Sequence, residues 1–340
     1  MSRIVKITVF VCLMTLLSLG GGTFAKAAAP QSFTVLVGAS AMPQVDVMDY
    51  APHSLKIHRG DSVTWLMAGF HNVDFNTQAQ PFVIAPMVNG KPSPQLNPAV
   101  VYPNIPANHV YKGGVASSGL PVIPNASPTF TLTFDVAPGT YTYYCDMHPD
   151  MTGQIVVVPD DQQIPAPSEA SAQGLMELAA HIGEGTAAFN QELAATQKQM
   201  TAGADGGHIV MGMGTSADSI DAFFPYSVTI HAGQSVTWTM PDKTMDLHTI
   251  TSLPLPPDDQ EFIPQPSQGN KPPIILLGSI TTATTPSGST VKAGSSFNSG
   301  LMMMGTFYTL MFADPGVYPY GYFLHDGMLG VVVVLPATSN

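Results

Sequence analysis

Charge, cysteine and long apolar runs are all scarce in this chain. Only 10% of its 340 residues are charged, and 11 basic residues stand against 23 acidic ones, a net charge of −12. Without a basic patch it cannot bind a phosphate backbone non-specifically, so nucleic acid is excluded as a partner, whereas a basic protein partner stays open. Two cysteines, Cys12 and Cys145, are too few for a disulfide framework. Past residue 27 no stretch is long and apolar enough to span a membrane, since the run at 331–335 has the length of a strand. What is plentiful is apolar residues at 45%, with 31 prolines and 31 glycines dispersed among short β-branched and aromatic runs. That composition predicts an all-β fold with many turns, and the length gives room for two domains, each with its own core.

The first 27 residues read as a cleaved secretory signal. Arg3 and Lys6 form a basic start, residues 7–19 an apolar core too short for a comfortable span, and Ala25-Lys26-Ala27 a cleavage site. Cys12 lies in that core without a lipid-attachment motif. The expectation is an exported protein, periplasmic or extracellular. Removing Arg3, Lys6 and Lys26 leaves 8 basic residues against 23 acidic ones, a net charge of −15. Cys145 is then the remaining cysteine, in an oxidising compartment and with no internal disulfide partner. An intermolecular bridge, an idle buried thiol and a metal ligand are its possible uses.

The chain repeats itself. Leu55-Lys-Ile-His-Arg-Gly60-Asp61-Ser-Val-Thr-Trp65 reads as strand, turn and strand, and Val228-Thr-Ile-His-Ala-Gly233-Gln-Ser-Val-Thr-Trp238 restates it. Asp314-Pro-Gly-Val-Tyr318 restates Ala137-Pro-Gly-Thr-Tyr141. From His71 to Cys145 is 74 positions, and so is the step from His248 to Tyr322. Two copies of one β domain follow, at 31–159 and 206–337, with His58 and His231 as matching strand-end residues. The proline-dotted stretch 78–128 is expected to hold loops and one or two short strands.

Residues 160–205 form the linker. Within it Leu175, Leu178, Ile182, Phe189, Leu193 and Met200 recur at helical spacing over 168–200. Ser168 is the expected cap, with Glu169 in the first turn. Gly183-Glu184-Gly185 is expected to break the helix into a hairpin of two pieces, and His181 is expected at the surface.

Chemistry concentrates in Tyr141-Thr-Tyr-Tyr-Cys145-Asp-Met-His148-Pro-Asp-Met151. The spacing Cys-x-x-His-x-x-Met, between two strand-like runs, directs a thiol, an imidazole and a thioether at one point. His71 offers the missing imidazole. Two histidines and a thiolate with a weak axial methionine form the ligand set of a blue-copper electron-transfer site. Zinc competes for Cys/His sites, but structural zinc favours more thiolates and does not call for methionine. His148 is expected to be the ligand nearest solvent, rimmed by Met147 and Pro149. Redox partner proteins would dock there and electrons would pass.

Gly60-Asp61-Ser-Val-Thr-Trp65, His71-Asn72-Val73, Pro138-Gly139-Thr-Tyr141 and Cys145-x-x-His148-x-x-Met151 followed by Gly153 together resemble the cupredoxins, the blue type 1 copper family. The short cysteine-to-methionine spacing is similar to that of the small bacterial amicyanin and pseudoazurin kinds. The resemblance covers about 125 residues of the first copy and implies a plastocyanin-like Greek-key β-sandwich with one type 1 copper near one end. It also implies that Asn72 ties the two ligand loops together by hydrogen bonds.

The second copy keeps His248, His325 and Met328 but has Tyr322 at the cysteine's place and Thr249 after the histidine. Without a thiolate it resembles a degenerate cupredoxin copy. A weaker site for Cu(II) or another metal on His248 and His325, with Tyr322 and Met328, is the alternative. The methionines Met211, Met213, Met240, Met245 and 302–304 suit either Cu(I) binding or core packing. The whole therefore reads as two cupredoxin-like Greek-key β-sandwich domains joined by a helical linker, an electron carrier and not an enzyme. The alternatives are a copper storage or delivery protein and a two-domain copper oxidoreductase. Against the last, Tyr144 and Asp146 flank Cys145, and no His-x-His motif exists.

Overall fold

Alternation within Ser62–Met67 turns Val63 and Trp65 inward, and the repeat does the same with Val236 and Trp238 in Ser235–Thr239. The computed structural model describes residues 29–340 except 124–125, 149, 202–206, 245, 256–260, 268, 270–271, 323–324, 326 and 338–340. The expected signal segment lies outside the described residues.

Each copy folds as two packed sheets. In the first domain Val110–Tyr111, Thr129–Phe134, Ser62–Met67, Ser32–Met42 and Val45–Ala51 lie side by side. Facing them are Ala116–Ser117, Asp74–Phe75, Gly139–Tyr144, Thr152–Val158 and Ser54–His58. Between the sheets Trp65 meets Tyr143 edge-on at 5.3 Å, and in the second domain Trp238 meets Tyr320 at 5.3 Å. Tyr141 donates its hydroxyl to the Ala137 carbonyl at 2.8 Å, as Tyr318 does to the Asp314 carbonyl at 2.8 Å. The repeat read in the sequence is thus a repeat of packing.

The two domains share one sheet. Val45–Ala51 pairs antiparallel with Asp218–Phe224, through Val45 with Ile220, Asp46 with Ser219 and Val47 with Asp218. Aligned on the cis prolines that follow both strands, Pro52 and Pro225, Asp46 and Ser219 are equivalent residues. The seam is therefore self-complementary in the way of a two-fold dimer interface, but within one chain. Short strands from the two domains' long insertions also join: Val83–Ile84, Gln95–Leu96, Ile275–Leu277 and Phe262–Pro264 make a second shared sheet, through Leu276 with Gln95. The 78–128 stretch is more regular than expected, with the helix Pro98–Val101 and further short strands.

The linker helix runs unbroken over Pro167–Thr201, which corrects the expected hairpin. It crosses the shared sheet, resting Leu178 and Ile182 on Val47 and Ala51, and Ala188, Phe189 and Leu193 against Ile220, Ala222 and Phe224. Gly185 sits over the seam, where a Cβ would come within 2.6 Å of Val45 Cγ1 and 3.0 Å of Asp218 Cγ. The glycine permits close approach, and packing along the helix outweighs its weak propensity. Leu175, assigned to the apolar face, is instead exposed, because the helix turns Ala170, Gly174 and Leu178 toward the first domain, with an added Cβ at Gly174 only 2.6 Å from the Ala51 carbonyl. The start is also shifted: Pro167 opens the helix, and Glu169 accepts a hydrogen bond from the Ala166 N–H at 2.8 Å. His181 is half-buried, its Nε2 3.3 Å from Asp49 Oδ2.

Candidate metal centre

A bulge and two loops bring the donors together. Between Val37 and Ala39 the register of the first hairpin shifts, and Gly38 takes φ +68°. A Cβ at Gly38 would lie 2.3 Å from His71 Nε2, so bare backbone there leaves the ring its place. The other loop closes on itself: the Cys145 N–H donates to the Met151 carbonyl at 3.0 Å, and the Met151 N–H to the His148 carbonyl at 3.2 Å.

His71 Nδ1 stands 2.9 Å from His148 Nδ1, and Cys145 Sγ stands 3.3 Å from His148 Nδ1 and 3.9 Å from His71 Nδ1. Ligand atoms bound to one ion at 2.0–2.3 Å lie roughly 3–4 Å from one another, so this spacing fits a metal. All three side chains and Met151 are buried. Burial alone would raise the Cys145 thiol, but the facing His148 and His71 imidazoles hold it well below the usual thiol range. Burial disfavours charge on His148, yet the Cys145 thiolate and the Asp246 carboxylate raise it to about 10. Both shifts favour the thiolate form of Cys145, the form in which a thiol can serve as a metal ligand.

Asn72 ties the two ligand loops as expected. Its Nδ2 donates to Asp146 Oδ2 at 2.7 Å, its Oδ1 accepts from the Asp146 N–H at 2.8 Å, and its carbonyl accepts from the Tyr50 hydroxyl at 2.5 Å. Asp146 Oδ1 accepts from the Gln80 N–H at 2.5 Å, fixing the start of the insertion to the same loop.

The expected electron port is not where the sequence placed it. His148 is 2% exposed, with Nε2 3.5 Å from Asp246 Oδ2 of the second domain. The second domain and both insertions cover this end: Phe70 stacks on Phe262 at 6.4 Å, and Met147 is buried. Pro149 lies outside the described residues. Direct docking of a partner on His148 is therefore corrected. Beside it opens an interdomain cleft of about 530 Å³, lined by Phe82, Asp146, Met147, Asp246 and Met303 among others.

The second copy gathers His248, Tyr322 and His325, with Tyr322 ring centroids 5.0 and 5.1 Å from the two imidazoles. Tyr322 N–H donates to the Met328 carbonyl at 3.0 Å, so the loop keeps the shape of the first copy's. Asp221 joins the two histidines, and Asp246 lies 2.9 Å from His325 Nε2. Both carboxylates were missed from sequence. Asp221 had a signal, an acidic residue within the apolar-flanked strand Asp218–Phe224, while Asp246 was visible only as a neighbour of His248. Met211, Met240 and Met302 pack in the second core, Met303 and Met304 line the cleft, and Met245 lies outside the described residues. His58 and His231 bond the carbonyls of Gln162 and Pro336 at the strand ends.

Residues 38–158 match the family of copper binding proteins described as plastocyanin/azurin. Among solved structures, a purple cupredoxin from Nitrosopumilus maritimus is similar at 23% identity over 38% of this chain and 98% of that one, with a TM-score of 0.22. Amicyanin from Paracoccus versutus is similar at 18% identity over 39% of this chain and 83% of that one, with a TM-score of 0.21. No curated protein matches.

Proposed function

We propose that this chain, whose first domain is a cupredoxin of the plastocyanin/azurin family, is an exported blue copper protein that carries single electrons between redox proteins. It would hold one type 1 copper on His71, Cys145, His148 and Met151. The observation that carries the reading is the convergence of one thiol and two imidazole Nδ1 atoms within 3.9 Å in a buried pocket. Copper bound there supplies one-electron chemistry between Cu(I) and Cu(II). The chain's part is to keep the cage fixed. Cys145 enters as thiolate, the imidazoles suit both oxidation states, and Met151 is too weak a donor to pull the site tetragonal. Asn72 and Asp146 lock the ligand loops, so little moves when an electron arrives. Redox partners would approach at the interdomain cleft, whose wall includes Met147. Export rests on the basic start, apolar core and cleavage site of residues 1–27.

The test is a visible spectrum of the copper-loaded mature protein. An intense band near about 600 nm is expected, as is its loss in Cys145→Ala. A colourless wild type, or colour that survives in the variant, would sink the proposal. A two-domain copper oxidoreductase is the second reading, favoured by the buried Asp221, His248 and His325 gathered in the second domain. Turnover of nitrite or oxygen by the loaded protein would establish it.

A further inference from the structure

The place where the second domain lacks its thiolate is not filled with apolar side chains. His248 and Asp221 are both 0% exposed, and Tyr322 is 2% exposed. His248 Nε2 lies 3.6 Å from Asp221 Oδ1, His325 Nε2 lies 3.9 Å from Asp221 Oδ2, and one donor atom from each residue falls within 4.8 Å of the others. Both ring nitrogens of His248, Asp221 Oδ2, the Tyr322 hydroxyl and His325 Nδ1 are buried without a hydrogen-bond partner. Leaving such buried polar atoms unsatisfied destabilises a fold. A histidine kept only for packing would place at least one nitrogen on a donor or acceptor.

The backbone makes room for this ring as it does for His71. Gly212, at φ +67° on the second hairpin's bulge, has its absent Cβ 2.4 Å from His248 Nε2. Four carboxylates surround the cluster: Asp221 from its own strand, Asp246 at 2.9 Å from His325 Nε2, Asp46 of the first domain at 4.0 Å from it, and Glu261 within electrostatic reach of His325 and Tyr322. No lysine or arginine ion pair neutralises them among the described residues.

We propose that the second domain holds a divalent transition-metal ion on His248, His325 and Asp221, with Tyr322 beside it. Two imidazoles and a carboxylate, with no sulfur donor assigned, select a borderline ion in its divalent state and disfavour Cu(I). By the order of divalent affinities Cu(II) binds such a set most tightly, with Zn(II) next to it in kind. Three protein ligands leave a coordination position open, the arrangement of a reactive centre and not of a closed structural one. Asp246 is a positioning residue: it orients His325 and, 3.5 Å from His148 Nε2, connects that ring to the first centre through one carboxylate. The inference stands apart from what the first domain binds.

The experiment is metal quantitation and electron paramagnetic resonance on the full chain, stripped and reloaded with Cu(II) alone, then separately with Zn(II) alone, and desalted. Wild type should retain two equivalents, and the Cu(II) spectrum should contain a second signal of equal intensity with the wide hyperfine splitting of nitrogen and oxygen ligation. Asp221→Asn and His325→Gln should each lose one equivalent and that second signal while keeping the first centre's colour. Cys145→Ala should lose the colour and keep the second signal, which separates failure of this site from failure of the first. One equivalent in wild type, or two equivalents and an unchanged second signal in both variants, would overturn the proposal. Should the variants not fold, the number of signals in wild type decides.

Discussion

Asp246 Oδ2 of the second domain lies 3.5 Å from Nε2 of His148 in the first and 2.9 Å from Nε2 of His325 in its own. One buried carboxylate therefore faces an imidazole from each half of the repeat. Burial would raise its pKa, but His325 and His148 outweigh burial and hold it well below the usual carboxylate range.

Replacing that charge should move the first centre's midpoint potential upward. Asp246→Asn removes a negative charge that favours the more positive oxidation state. At an effective dielectric of about 20, a unit charge roughly 7 Å away is worth about 2 kcal/mol, on the order of 100 mV for one electron. Spectroelectrochemistry on the blue band measures it, and an unchanged or lowered potential would count against the contact.

The two bulge glycines should act separately. Gly38→Ala places a methyl group against His71 and the Ala68 carbonyl in a backbone region with φ +68°. Copper affinity of the first centre should fall on the order of tenfold or more. Gly212→Ala should leave the blue colour intact, because its clash is with His248. Competition against a chromophoric chelator reads both.

Asn72→Ala strips Asp146 of two partners at once. The main-chain N–H and Oδ2 of Asp146 lose hydrogen bonds inside the core, at a cost of about 2–3 kcal/mol. The urea midpoint of the metal-free chain should drop accordingly. A shift within error of wild type would show that the tie is dispensable.

Asp74 gives the metal-free fold a pH dependence. Burial, then the neighbouring Asp146 carboxylate, pushes Asp74 up to about 7. The folded chain holds this proton more tightly than the unfolded chain does. The associated stability is full below pH about 4 and is lost as pH rises through about 7. Asp74→Asn cannot ionise, so relative to wild type it should gain about 2 kcal/mol or more between pH 5 and 8. Parallel stability curves for the two proteins would contradict the assignment.

The parts legible in the sequence were those that close within a few residues or recur. The loop from Cys145 to Met151 is shaped by its own main-chain bonds, so the spacing alone announced that Cys145 and His148 would meet. Alternation in Ser62–Met67 and Ser235–Thr239 assigned Trp65 and Trp238 to two equivalent cores, because strand periodicity is local. The glycine pair in the linker misled for the opposite reason. Gly185 is read locally as a breaker, whereas its surroundings, Val45 and Asp218, come from both domains.

The gathering of Cys145 with His148 on one short loop and the doubling of the β domain were thus determined by the sequence by itself. Tertiary structure alone decided that Val45–Ala51 would pair with Asp218–Phe224, that Asp246 of the second domain would reach His148 of the first, and that Asp221 would meet His248 and His325 within the second domain. Periodicity tells each strand which face to bury. It does not tell a strand edge which other edge, more than 160 residues away, will satisfy its backbone hydrogen bonds.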